Sequence, residues 1–456
     1  MFVSEQSFSL PAQQGQSDLI DYFRQACRFR LDKGSVPIRF AVTASDAQEY
    51  KCEIGAAEDV NSATALNENS IFDFRRRETE DTSSFNAVFL VPTGIGAEIG
   101  GHAGDATPVA RMLAQSCDEL ILHPNAVNAS DINEAPENSL YLEGSVITRL
   151  MMGSIGLQRV RSNRLLVVID GDHEDIFVNA TLNSVDAARA CYGVHIVDVL
   201  KMIPPVRLAG AFSEAGRAAG TVENLDYLFE VLAERRQDYD AVAIASIIDI
   251  PDGSVLEYFA SDGTEVNPWG GVEAMLTHAI SAEYDVPSAH APMMEGQDIA
   301  NADLGQVDPR MAAEAVSMTF LNCVMKGLQK SPKIISDASL FNRPEIFTAS
   351  NVSCLGIPEG CLGLPTLAAL EQGIPVIAVK ENRNLMRNEL AALPWKPGQY
   401  FEAESYLEAS GVINALKAGI EIGTLRRPLG QTKPQIVSRE RQETIPRPGD
   451  GKTNIG

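Results

Sequence analysis

The chain has 456 residues, 45% of them apolar and 21% charged, with a formal net charge of −24. That profile is of a globular protein with a sizeable core, long enough for two or three domains. The acidic balance argues against nucleic acid or an anionic lipid surface as partner, although a local pocket can still have the opposite sign.

The N-terminus, MFVSEQSFSLPAQQGQSDLI, lacks a basic segment followed by an apolar core, so it does not read as a secretory signal. No apolar run reaches membrane-spanning length. Seven cysteines (27, 52, 117, 191, 323, 354 and 361) are odd in number and include no CxxC pair. They read as free thiols in a reducing compartment, and a cytoplasmic location is expected.

Residues 1–74 are expected to form a small α+β unit. Leu19, Phe23 and Cys27 recur at helical spacing, and VPIRFAVT and EYKCEI read as strands. RRRETEDTSS (75–84) reads as a linker. From Phe85 onward apolar runs alternate with helical patterns, which predicts an α/β fold: mostly parallel, Rossmann-like sheet with helices on both faces. Residues 85–204 would form one such domain. Residues 205–425 would form a second, or continue the same sheet.

The expected strands are NAVFLVP, ELILHP, RLLVVID and DAVAIASIID. Thr107 and Pro108 should open a helix with Val109, Met112, Leu113 and Ser116 inward, and Thr221 should cap one that buries Leu225, Leu228, Phe229 and Leu232. Asp308 and Pro309 should start a long helix with Met311, Ala315, Met318, Leu321, Met325 and Leu328 on one face. GLPTLAALEQGIPVIAVKEN reads as helix, turn and strand, closed by Gly373 and Pro375. Residues 426–456 hold seven basic and three acidic residues and read as a disordered basic tail, able to fold back or to contact an acidic surface.

Parallel α/β sheets bind ligands beyond the carboxyl ends of their strands. The first strand end carries VPTGIGAEIGGHAGDATPVARML, with Gly94, Gly96, Glu98, Gly100, Gly101, His102 and Asp105. A dinucleotide fingerprint fails there: the third glycine position is Ile99, the helix starts late, and the next strand ends in His123 rather than an acid. NAD is therefore not expected, and no GK[ST] marks a Walker loop. The loop reads instead as a backbone cradle for a small anionic metabolite. The second strand end carries His123, Asn125, Asn128 and Asp131; the third carries Asp170, Asp172 and His173; DIPDG adds Asp249 and Asp252. Asp170 and Asp172 have the spacing of a divalent-metal pair, for which Mg²⁺ or Mn²⁺ would be the hard cation. SAHAPMMEG adds His290 and Glu295 as a base or ligand, with His278 one helix earlier.

RLLVVIDGDHEDIF resembles the D-x-D element of nucleotide-sugar glycosyltransferases, and more loosely that of haloacid-dehalogenase-like phosphatases. PEGCLGLPTLAALEQGIPVIAV resembles the loop, helix and strand of two-domain glycosyltransferases, where a helix N-terminus holds a nucleotide diphosphate. Taken together, VPTGIGAEIGGHAGDATPVARM, ILHPNAVNASDIN, VIDGDHEDIFVNATLNS, NPWGGVEAMLTH and SAHAPMMEG resemble an uncharacterised conserved cyanobacterial family. That resemblance implies a source and carries no activity.

The leading expectation is an enzyme with His102, His123 or His173 as acid or base and metal-assisted transfer or hydrolysis as its reaction class. The alternatives are a non-enzymatic ligand-sensing or assembly protein and a glycosyltransferase-like nucleotide-sugar binder; homo-oligomerisation stays open. Convergence of Glu98, His102, His123, Asp170 and Asp172 on one cavity is what the enzyme expectation requires.

Overall fold

The computed structural model describes residues 1–13, 18–58, 60, 70–127, 129–251 and 254–436. Asn128, Asp252 and the tail beyond 436 lie outside them. The α/β class read from the sequence is observed: helices flank parallel sheets, beside an N-terminal sheet.

Two sheets are wholly parallel. One has six strands, in the order Tyr400–Ala403, Val376–Val379, Val352–Pro358, Asn86–Phe89, Glu119–Leu122 and Ser139–Tyr141. Its chain order runs outward in both directions from the central pair. The carboxyl ends of Val352–Pro358 and Asn86–Phe89 thus flank a topological switch point, where open α/β sheets leave a crevice. The other has four strands, Ser288–Pro292, Ala241–Ser246, Arg164–Asp170 and His195–Met202. The inner strands of both are buried on both faces, as continuous runs such as RLLVVID require.

A mostly antiparallel sheet of seven strands completes the frame. Phe2–Pro11, Val36–Ser45 and Glu49–Glu58 share it with Ala218–Glu223, Arg207–Phe212, Leu362–Gly363 and Ile248–Asp249, the last running parallel to Arg207–Phe212. The N-terminal segment therefore shares its hydrogen bonding with chain more than 150 residues away. Its first strand, Phe2–Pro11, shows no clear alternation in the sequence, because polar residues take half of its positions. RRRETEDTSS is tied to the body: Arg77 donates to the carbonyls of Gln372 (3.0 Å) and Val352 (2.9 Å).

Two helix expectations need correcting. The long helix from Asp308 is two short ones, Ala312–Ala315 and Leu321–Lys330, with Phe320 left-handed between them (φ 50°) and Met318 73% exposed. The carboxylate of Asp131 explains the break. It accepts from the backbone of Thr319 (3.4 Å), Phe320 (3.2 Å) and Cys323 (3.4 Å), serving as a cap from outside the helix. Thr221 lies in the strand Ala218–Glu223, and Asn224 precedes the helix Leu225–Glu234; its predicted apolar face is buried. Thr107 is the first helical residue, its hydroxyl donating to Gly104 (2.8 Å). All seven cysteines are free, and Cys191 is the exposed one.

Candidate functional site

The carboxyl ends of Glu119–Leu122, Ser139–Tyr141 and Ser288–Pro292 open on a cavity of about 160 Å³. Gly94, Gly100, Gly101, His102, His123, Asn125, His290 and Glu295 all line it, joined by Tyr141, Asn267, Glu273 and Glu314. Much of the predicted rim therefore converges. Gly96, Glu98, Asp105, Asp170, Asp172 and His173 are not among the lining residues. The convergence required of Glu98, Asp170 and Asp172 with the two histidines does not occur.

Four of these excluded residues, Glu98, Asp105, Asp170 and His173, are engaged in the protein itself. Glu98 pairs with Arg310 (2.9 Å) and Arg383 (3.0 Å) in a surface hollow behind the loop. Asp105 folds back onto the backbone N–H of Gly100 (2.8 Å) and His102 (3.4 Å), and burial raises its carboxyl to about 7. Asp170 accepts from the N–H of Ile247 (2.8 Å), bridging its strand to the next. Asp172 is exposed, and His173 bonds the carbonyl of Met294 (2.7 Å) and stacks on Phe177. Among the described residues no three His, Cys, Asp or Glu side chains gather as a metal-binding group.

The glycines of the loop serve packing. Gly94 has φ 76°, and a Cβ there would stand 2.9 Å from Ala218. A Cβ on Gly101 would stand 2.0 Å from the carbonyl oxygen of Ala97. Close approach of backbone to backbone, rather than to a ligand, accounts for these two positions.

His102 is held from behind by a buried chain. Its Nδ1 lies 2.7 Å from the Tyr258 hydroxyl, which donates to Glu314 Oε2 at 2.8 Å. Glu314 Oε1 accepts from Asn267 Nδ2 (3.1 Å) and from the N–H of Ala103. Burial nevertheless dominates and raises the Glu314 carboxyl to about 7. Burial, then the nearby Arg310, lowers His102 to about 4. With Nδ1 taken by Tyr258, Nε2 is the nitrogen that His102 offers the cavity.

A second chain runs across the ends of the four-stranded sheet. His290 Nε2 lies 2.8 Å from Ser246 Oγ, and its Nδ1 3.0 Å from Glu273 Oε1. The order Ser–His–Glu is that of a nucleophilic triad. Ser246, however, does not line the cavity. The geometry fixes the His290 ring against Glu273, and Glu273 does line it. The Tyr141 hydroxyl, on a residue 5% exposed, has no hydrogen-bond partner among the described residues.

His123 stands between this cavity and a smaller one of about 100 Å³ at the switch point of the six-stranded sheet; His123, Thr93 and Ala274 line both. Burial, then His278 and Arg39, lowers His123 to about 3, so its ring is neutral at physiological pH. Its Nδ1 accepts from the N–H of Asn125 (3.2 Å), which leaves Nε2 to carry the proton.

Sequence reading missed Tyr258, Asn267, Glu273 and Glu314. A signal existed for Glu314: it is the acid within the otherwise apolar run MAAEAV. Its pairing with Tyr258 depends on loops that sequence periodicity does not describe.

Residues 86–426 match the family described as Protein of unknown function (DUF3326), and the chain belongs to it. An uncharacterized lipoprotein of the cyanobacterium Synechococcus is 32% identical over 345 residues, spanning 75% of this chain and 93% of that relative. No solved structure matches.

Proposed function

We propose that this family member is an enzyme that moves protons on a small molecule, with His102, Tyr258 and Glu314 as its acid–base apparatus. The observation that supports this reading is the unbroken hydrogen-bonded chain from the cavity wall to a buried carboxyl poised near neutrality.

The chain has two states. When Glu314 is ionised, Tyr258 donates to it and accepts from His102 Nδ1–H, leaving Nε2 as a bare acceptor. When Glu314 holds its proton, the donations reverse, and Nε2 carries the hydrogen. His102 can therefore give the Nε2 proton to a substrate while regaining one at Nδ1 from Tyr258, which takes one from Glu314. The imidazole never has to persist as a cation, which its depressed pKa disfavours. Glu273, one of four carboxyls lining the cavity, is oriented by His290 and is the group suited to accept a proton. One group that gives and one that takes suit isomerisation, elimination or hydrolysis of a small molecule.

No lysine or arginine among the described residues lines this cavity. The reacting part of the substrate is accordingly not an anion. The test is incubation of a small-molecule extract with the wild-type protein and with Tyr258→Phe, followed by mass spectrometry. A compound consumed by the first and spared by the second is expected. No consumption, or equal consumption by both, would overturn the reading.

A further inference from the structure

We infer that the main cavity takes an organic cation, an ammonium group carried on a small molecule, held beside Glu273 and against the rings of Trp269 and Phe259. The inference rests on the proposed enzyme reading for the choice of cavity, and on the cavity's own charge and walls for what enters it.

The charge comes first. Four carboxyls line the cavity, on Glu143, Glu273, Glu295 and Glu314, and no lysine or arginine does among the described residues. His102 and His123, lowered by burial to about 4 and about 3, bring no positive charge at physiological pH. Arg39 and Arg310 stand behind the wall and are already paired. Arg39 meets Glu5 at 3.1 Å, and Arg310 meets Glu98 and Asp308, both at 2.9 Å. The cavity therefore has a negative field and no cationic side chain inside it to balance that field.

Glu273 is the carboxyl a ligand can reach. Its side chain keeps 16% of its surface accessible. Its Oε1 meets His290 Nδ1, and with the Ser246 hydroxyl against Nε2 that ring comes to Glu273 through a single N–H. Its Oε2 makes no hydrogen bond among the described residues and is not sealed from the cavity. A carboxylate oxygen without a donor in a partly apolar cavity is costly, and a bound cation offsets that cost. The field of Glu273 also reaches Glu314, where it adds to burial in raising the carboxyl.

The walls choose the kind of cation. Trp269 and Phe259 line the cavity with ring centroids 6.4 Å apart and planes tilted by 43°, and Met293 and Met294 join them. Aromatic faces attract a weakly hydrated organic cation. A metal ion would need several ligands in one place, and among the described residues no three His, Cys, Asp or Glu side chains supply them. The small anionic metabolite expected from the sequence meets no cationic side chain here, and an ammonium ion takes its place in this reading.

Choline and 3,3-dimethylbutan-1-ol share a shape and differ in charge, so calorimetric titration of both tests the inference. Choline should bind the wild-type protein roughly tenfold more tightly than the alcohol. Glu273→Gln keeps the side chain's shape and removes its charge, and should lose most of that preference. Tyr258→Phe breaks the proton chain and should keep it, so a failed acid–base reading leaves this result standing. Should Glu273→Gln not fold, a crystal structure of the wild-type protein with choline decides. Its nitrogen must lie within about 6 Å of the Trp269 or Phe259 ring centroid. Equal affinity for the two probes, binding of neither, a preference that Glu273→Gln retains, or choline seated elsewhere would overturn the inference.

Discussion

Replacing Glu314 with glutamine removes one ionisable group and almost no volume. Burial raises this carboxyl from 4.5 to about 7, so between those pH values the folded protein keeps a proton that the unfolded chain has released. Stability must fall with rising pH over that window, by about 1.4 kcal/mol per pH unit and about 3 kcal/mol in all. The contribution is fully present below pH 4.5 and lost once the pH exceeds about 7. Glutamine resembles the protonated state: its amide can donate to Tyr258 while its oxygen accepts from Asn267. Urea unfolding of both proteins from pH 4 to 8.5 should show similar stability at the acid end. By pH 8 the variant should be the more stable, by up to about 3 kcal/mol. Asp105, at about 7, and Asp170, at about 6, titrate in the same direction, so the wild-type curve alone does not isolate Glu314. The difference between the two proteins does. Parallel curves would refute the buried-proton account and with it the acid–base chain.

Ser246→Ala removes the hydroxyl that meets His290 Nε2 at 2.8 Å and should cost about 1–3 kcal/mol in denaturant unfolding; an unchanged midpoint would mean the ring is held otherwise. Gly101→Ala puts a Cβ 2.0 Å from a backbone oxygen, and a loss of about 3 kcal/mol or more is expected in the same measurement. A melting temperature equal to wild type would show the loop to be freer than its packing implies. Asp170→Asn keeps an acceptor for Ile247 N–H and removes a carboxylate that burial holds at about 6, so the variant should gain about 1–2 kcal/mol at pH 8 and nothing near pH 4. Lower stability at pH 8 would instead show that the negative charge is needed there.

The strands and helices with strong periodicity were legible because each is decided by residues within a dozen positions. RLLVVID needs only its own apolar run to be a doubly covered strand, and Gly373, left-handed at a helix end, needs only its neighbours. The same locality brought His102, His123 and His173 to light as strand-end residues, of which the first two reach the cavity. It also misled where a distant group intervened, as when Asp131 interrupted the expected helix through Phe320.

The sequence by itself determined the α/β class, where its core strands run and which loops follow them, since hydrophobic periodicity and glycine placement are local properties. Tertiary structure alone decided which of those ends share a cavity. Burial raises Glu314 and Asp105, lowers His102 and His123, and occupies Asp170 with a neighbouring strand. A side chain's charge depends on what surrounds it in space, and around His102 those surroundings, Tyr258 and Glu314, lie more than 150 residues along the chain.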